Sequence, residues 1–215
     1  MATAPLRHPP WITIPGLVHG FLPGRMAPDA SVLLPRQVHG TQVVTADPAL
    51  ELPEADAIVT AASGTTVGVV TADCVPLMLV APRERVVAAV HAGWRGAAAG
   101  IVERALTYLR DGFGVEPASV QAAIGPAIGA CCYEVGPEVR AAFRQVSGDT
   151  TAVAWTRRDD RDVLDLRRAV QALLEAAGVR DVAILGPCTR CSPAYCSYRR
   201  DGSNAGRQVS IIGWA

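Results

Sequence analysis

Lysine is absent from this chain of 215 residues; all 20 basic residues are arginine. The absence excludes a lysine Schiff base, hence the usual pyridoxal phosphate chemistry, and it excludes a Walker A loop. Phosphate recognition must therefore come from arginine, backbone N–H groups or a metal. Net charge is also lacking, because 20 acidic residues balance the 20 basic ones. A chain without a basic excess is poorly suited to gripping nucleic acid or an anionic membrane as its main task. No uninterrupted apolar run is long enough to span a bilayer: the most apolar stretch, Val67 to Val80, is broken by Asp73 and Pro76. Histidine is scarce, with only four copies: His8, His19, His39 and His91.

Half of the residues are hydrophobic and 19% are charged, which supplies a sizeable core. The length fits one domain over residues 1–215, and no linker or low-complexity tract divides it. Met1 to Pro10 contains three prolines and no apolar core, so it does not read as a signal peptide. A cytoplasmic, reducing location is expected. The six cysteines (Cys74, Cys131, Cys132, Cys188, Cys191 and Cys196) are then metal-binding, catalytic or buried rather than disulfide-bonded.

The segment Pro5 to Pro28 reads as irregular. Val67 to Val70, Leu77 to Val80, Val86 to Val90, Ser119 to Ile124 and Val182 to Leu185 read as buried strands, and Ile211 and Ile212 as the end of a terminal one. Asp165 caps a helix with Leu166, Ala169, Val170, Leu173, Leu174 and Ala177 on one face, and Gly178 stops it. Ala98, Ile101, Val102, Ala105 and Leu109 form a second stripe ahead of a turn at Asp111-Gly112. Pro137 starts a shorter helix carrying Val139, Ala142, Phe143 and Val146. Strands and helices alternate without a strict βαβ rhythm, so the fold class is mixed α/β or α+β. An internal echo joins Ile124-Gly125-Pro126, ahead of Cys131, Cys132 and Tyr133, to Leu185-Gly186-Pro187, ahead of Cys188, Cys191, Cys196 and Tyr198. A coincidence of turn residues and a functional rim both fit it.

His91 ends the apolar run Val86 to Val90 and is followed by Ala92-Gly93-Trp94-Arg95-Gly96. A strand end followed by glycine and a helix start is a natural anion and substrate site. Thr71-Ala72-Asp73-Cys74 ends the Val67 run, and His39 stands in Arg36-Gln37-Val38-His39-Gly40. His39, Cys74 and His91 suit a borderline-soft ion such as Zn²⁺, and three protein ligands leave the open fourth position of a catalytic site. Such an ion lowers the pKa of a bound water to about 7, and Asp73 is the adjacent group able to shuttle its proton or orient a substrate. Spacing alone favours a plainer reading, in which the histidines are satisfied polar residues and Cys74 is a small core residue. A metal-free Cys74–His91 nucleophile–base pair is a further alternative.

Six motifs occur in order: Arg36-Gln37-Val38-His39-Gly40, Thr71-Ala72-Asp73-Cys74, His91-Ala92-Gly93-Trp94-Arg95-Gly96, Ile124-Gly125-Pro126, Cys132-Tyr133-Glu134-Val135-Gly136 and Ser197-Tyr198-Arg199-Arg200-Asp201-Gly202. Together, over roughly residues 16 to 213, they resemble the bacterial YfiH-type family, formerly called multicopper polyphenol oxidases or laccase-domain proteins. The resemblance implies a layered α and β fold of its own, with zinc held by His39, Cys74 and His91. It also implies a purine nucleoside phosphorylase that cleaves adenosine, inosine and methylthioadenosine and deaminates adenosine. Some members are instead associated with editing of peptidoglycan precursors. A hydrolase or amidase acting there, through the metal or through Cys74, is the competing reading, and a non-enzymatic zinc-binding module comes third.

The older oxidase label requires a blue copper site and a trinuclear cluster, which together need about eight histidines beyond the first two. Four histidines supply at most one mononuclear centre; copper can enter a His/Cys site on affinity grounds alone. Arg36, Arg95 and Arg199 are candidates for a phosphate cradle. Tyr133 and Tyr198 can stack on a base or line the rim, and a core tyrosine with a bonded hydroxyl fits equally. Trp94 is read as packing at the strand–helix corner. Cys188-Thr189-Arg190-Cys191 is a CxxC that no second pair of suitable spacing completes, so structural loop thiols are expected. The adjacent Cys131 and Cys132 are not expected to point into one site. Oligomeric state is not legible from these features.

Overall fold

Apolar runs without alternation need cover on both sides. The computed structural model describes residues 4–24, 30–49 and 53–215 and provides that cover. The strands are β1 (Leu17–Phe21), β2 (Val43–Thr45), β3 (Ala57–Thr60), β4 (Thr65–Thr71), β5 (Val75–Ala81), β6 (Val86–Ala92), β7 (Gln121–Ile124), β8 (Glu134–Val135), β9 (Trp155–Arg158), β10 (Arg161–Leu164), β11 (Asp181–Ile184) and β12 (Gln208–Trp214). The helices are α1 (Trp94–Ala98), α2 (Ile101–Phe113), α3 (Pro137–Ser147), α4 (Leu166–Ala176) and α5 (Tyr198–Asp201). This is the mixed α and β class expected.

Six strands form the central sheet in the order β11-β7-β5-β6-β3-β2. Every residue of β5 and β6 is buried, and the two pair antiparallel with Leu77 opposite Val90. Successive side chains leave opposite faces. Val75, Leu77 and Leu79 share one apolar cluster with Ile101, Val102 and Leu109 of α2 and Val170, Leu173 and Leu174 of α4. Met78 and Val80 share another with Phe21, Val67, Val69, Ile212 and Trp214 of a second, antiparallel sheet ordered β1-β12-β4. The result is helices, a six-stranded sheet and a three-stranded sheet in layers. A small sheet ordered β8-β10-β9 completes the set.

The α4 helix begins as expected, with the Asp165 side chain accepting from the Arg168 backbone N–H at 3.2 Å. The stripe expected from Ala98 is broken: Gly100 adopts φ +94°, so α1 and α2 are separate, and α2 runs through Asp111-Gly112 to Gly114 at φ +67°. The positive φ that glycine alone adopts without strain decides both boundaries. The segment read as irregular holds a 3-10 turn at Pro9–Thr13 and β1. The first three residues of the stretch read as lacking a signal sequence, and residues 25–29 of the irregular stretch, lie outside the described residues. Residues 117–119 form a 3-10 turn, which shortens the strand expected from Ser119.

The echo has a structural basis. β7 and β11 are parallel neighbours in register, Ile124 beside Ile184, and a further bridge joins Ala127 to Cys188. The two Gly-Pro loops therefore leave the same edge of the same sheet side by side.

Leu173, on the buried face of α4, is 2% exposed. Leu173→Ala should cost about 2–5 kcal/mol in urea unfolding, whereas Glu175→Ala on the exposed face should stay within about 0.5 kcal/mol. Equal losses at the two positions would contradict the assigned face.

Candidate active site

The site is organised by a carboxylate. Asp56 precedes β3 and is fully buried. Its Oδ1 accepts from the His39 backbone N–H at 2.9 Å and meets His91 Nδ1 at 2.7 Å. Its Oδ2 accepts from the backbone N–H groups of Gly40 at 2.7 Å and Val38 at 3.2 Å. Burial alone would raise the Asp56 pKa, but the His91 bond and the Gly40 and Val38 amides outweigh it and lower the pKa. A buried anion with four donors is a satisfied one.

These bonds place two ligand-type side chains. His39 sits at φ +60°, a region costing a non-glycine residue on the order of 1–3 kcal/mol. Three consecutive amides on one carboxylate hold it there. His91, near the end of β6 and 3% exposed, has Nδ1 engaged by Asp56, which leaves Nε2 to face the site. Carboxylate–histidine pairs of this kind fix ring orientation in metal sites.

Cys74, in the turn between β4 and β5, brings Sγ to 4.0 Å from His39 Nε2. The rings of His39 and His91 lie 4.8 Å apart at 79°. A Cβ on Gly93 would come within 3.0 Å of Cys74 Sγ and 3.1 Å of His39 Cδ2, so glycine is needed for this approach. Burial pushes the Cys74 thiol up, yet the hydrogen bonds of His39 and His91 bring it down to about 7. Burial opposes the His91 imidazolium, while its bonds to Asp56 and Cys74 raise its pKa to about 9. The pocket thus favours a thiolate beside an imidazolium, and a soft cation can replace the proton between them.

The donors fit such a cation. One ligand atom from each of His39, Cys74 and His91 lies within 4.8 Å of the others. Tetrahedral zinc bonded to N and S ligands requires an N···S separation of about 3.6 Å, close to the 4.0 Å observed.

The trio lines a cleft of about 520 Å³ whose walls include Arg95, Tyr133, Tyr198, Arg199 and Arg207. The Arg95 guanidinium lies 4.4 Å over the Trp94 ring, and that of Arg199 5.1 Å over Tyr133. Tyr198 is 57% exposed at the rim and Tyr133 is buried. Trp94 both packs against the core and lines the cleft.

Asp73 also lines the cleft, but both of its oxygens are engaged. Oδ1 accepts from the Thr189 hydroxyl and Oδ2 from the Arg199 backbone N–H, each at 2.6 Å. With φ +90°, Asp73 is a strained residue pinned by these two bonds, and it ties the β4–β5 turn to the C-terminal loops. Arg36 does not reach the cleft. It pairs with Glu54 at 2.8 Å on the surface, 73% exposed, which corrects its expected place in the substrate site.

Sequence reasoning missed Asp56 and Arg207. A signal for Asp56 existed: an aspartate against an apolar strand, where the residue type is disfavoured. Arg207 stood in no recognised motif. The expectation that Cys131 and Cys132 do not point into one site is corrected. Cys191 Sγ lies 3.7 Å from Cys131 Sγ and 3.3 Å from Cys132 Sγ, so the adjacent cysteines do converge and they complete the CxxC.

The other two histidines serve elsewhere. The His8 backbone N–H donates to His19 Nε2 at 3.0 Å, and both rings pack edge-on against Trp11.

Residues 24–215 match the family described as multi-copper polyphenol oxidoreductase laccase. The chain is 42% identical over 179 residues to a purine nucleoside phosphorylase of Deinococcus radiodurans, covering 82% of this chain and 68% of that one. It is 38% identical over 196 residues to adenosine deaminase RL5 from an unknown prokaryotic organism, covering 84% and 74% respectively. The crystal structure of YlmD from Geobacillus stearothermophilus superposes with a TM-score of 0.83 at 28% identity, covering 94% of this chain and 93% of that one. The chain belongs to this laccase-domain family. Two histidines and one cysteine meet at the site, a donor set for one mononuclear ion, while His8 and His19 pack against Trp11.

Asp56→Asn tests the organising carboxylate. The amide would turn a donor toward backbone N–H groups that need an acceptor. Affinity for added Zn²⁺, read by chelator competition, should fall about 10- to 100-fold, with about 1–3 kcal/mol lost in urea unfolding. Unchanged zinc affinity would remove Asp56 from this role.

Proposed function

We propose that the chain is a zinc-dependent purine nucleoside phosphorylase that cleaves adenosine, inosine and methylthioadenosine with phosphate and also deaminates adenosine. The observation that carries the proposal is one cleft in which an open His/Cys/His donor set faces three arginines. The relatives named for phosphorolysis and for adenosine deamination support the same substrate class.

In this reading His39, Cys74 and His91 hold the ion. Zinc bound there supplies Lewis-acid activation of an oxygen nucleophile or substrate oxygen. Copper can occupy the same donors without changing the argument about the rest of the cleft.

The remaining work falls to the chain's own side chains. Arg95, Arg199 and Arg207 line the cleft and supply the cradle for phosphate. Phosphorolysis develops positive charge on the ribosyl carbon, so a fixed anion beside it acts as both nucleophile and stabiliser. Tyr198 at the rim and Tyr133 deeper in offer faces for a purine ring. Asp73 acts as a positioning residue: its side chain accepts from the Thr189 hydroxyl and the Arg199 N–H, and its carbonyl accepts from the Ile128 N–H at 2.9 Å, in the loop that leads to Tyr133.

Purified protein incubated with adenosine should release adenine only with phosphate present, and inosine without it. Arg95→Ala should reduce adenine release about ten- to a hundred-fold, since a charge-assisted contact is worth about 1.5–3 kcal/mol, and should reduce inosine formation much less. Equal losses would assign Arg95 to the nucleoside or to the fold. Removing metal with a chelator should abolish both products; full activity in metal-free protein would shift the chemistry to the Cys74–His91 pair.

A further inference from the structure

Five cysteines remain outside the cleft chemistry, and four of them are gathered in one place. The sulfurs of Cys131, Cys132, Cys188 and Cys191 all lie within 4.8 Å of one another, with the two shortest recorded separations, 3.3 and 3.7 Å, centred on Cys191. The pairs come from two loops far apart in sequence, carried by the parallel neighbours β7 and β11 and bridged at Ala127 and Cys188.

We propose that these four cysteines form a second, structural zinc site that clips the β7 loop to the β11 loop. Four thiolates around zinc at about 2.3 Å form a tetrahedron with edges of about 3.8 Å. The separations of 3.3 and 3.7 Å lie just below that edge and all four sulfurs stay within 4.8 Å, whereas a disulfide requires sulfurs about 2.05 Å apart and would join them only in pairs.

The surroundings are built for thiolate ligands. The Gly129 backbone N–H donates to Cys188 Sγ at 3.2 Å. Amides directed at a ligating sulfur are a typical outer shell of such sites. A Cβ on Gly129 would lie 3.2 Å from Cys188 Cβ and 3.5 Å from Cys131 Sγ, so a larger residue would crowd the cluster. Zinc with four thiolates carries a net charge of −2, and arginines from three elements attend it. Arg190 stands beside Cys191 in the chain, Arg158 donates to the carbonyls of Cys131 and Ala130, and Arg167 approaches Gly129 while donating to the Gly186 carbonyl. On binding, each thiol gives its proton to solvent and its sulfur lone pair to the ion, so no oxidant is needed.

The clip would bear on the cleft without joining it. Thr189, between Cys188 and Cys191, donates to Asp73, and Tyr133 follows Cys132 into the cleft wall. The two Gly-Pro loops would thus be held as one support. This inference stands apart from the nucleoside reading, because it concerns different residues and a different readout.

The test is the zinc content of the 215-residue chain, expressed with zinc and purified without chelator. Two ions per chain are expected. The double variant Cys131→Ser/Cys191→Ser should lose one, and His39→Ala/Cys74→Ala should lose the other. In the latter protein X-ray absorption at the zinc edge should show a shell of sulfur alone at about 2.3 Å; this measurement decides the question even if the cysteine double variant fails to fold. If the cleft does not bind zinc, the wild-type count becomes one and still falls to zero in the cysteine variant, which separates failure of that site from failure of this one. Zinc-free His39→Ala/Cys74→Ala protein, a nitrogen or oxygen shell, or a disulfide detected by mass between Cys132 and Cys191 would each overturn the proposal.

Discussion

Asp56 is the group on which the rest of the site depends. A carboxylate with no exposed surface must satisfy its oxygens internally, and it does so with three consecutive amides and one imidazole. The same four bonds hold His39 in a left-handed conformation and turn His91 so that Nε2 faces the cleft. The backbone reinforces this, as the Asp56 carbonyl accepts from the His91 N–H at 2.7 Å. Loss of the carboxylate therefore removes support from both histidines at once.

Around that point the layers divide the labour. β5 and β6 are buried on both faces, so the turn carrying Cys74 and the strand end carrying His91 are fixed by packing. The adaptable side chains, Arg95, Tyr198 and Arg199, sit on the helix starts and loops that follow. Donor side chains fixed by packing beneath a polar rim are what a site built on a sheet with loops at its mouth requires.

Much of this was legible from residue types. The β5 and β6 runs, the Asp165 cap and the α4 stripe followed from local chemistry, and the motifs led to His39, Cys74 and His91. What escaped depended on the fold. Arg36 looked like a ligand for phosphate because it stands near His39, but its bridge to Glu54 turns it to the surface. Asp56 lies 35 residues from His91, and nothing local in the sequence joins them. Cys131 and Cys191 lie 60 residues apart and meet only because β7 and β11 are parallel neighbours. Their matching Gly-Pro loops were the visible trace of that pairing. β1 escaped because its five residues lie in a stretch rich in proline and glycine and gain their partner, β12, from the far end of the chain.

The most direct test of the central claim is anomalous diffraction at the zinc edge from crystals of zinc-loaded protein. The account predicts a peak between His39 Nε2, His91 Nε2 and Cys74 Sγ, with Asp56 on His91 Nδ1 and a fourth position open to the arginine-lined cleft. Absence of a peak at that trio in zinc-saturated crystals, or a peak with His91 turned away from Asp56, would contradict it.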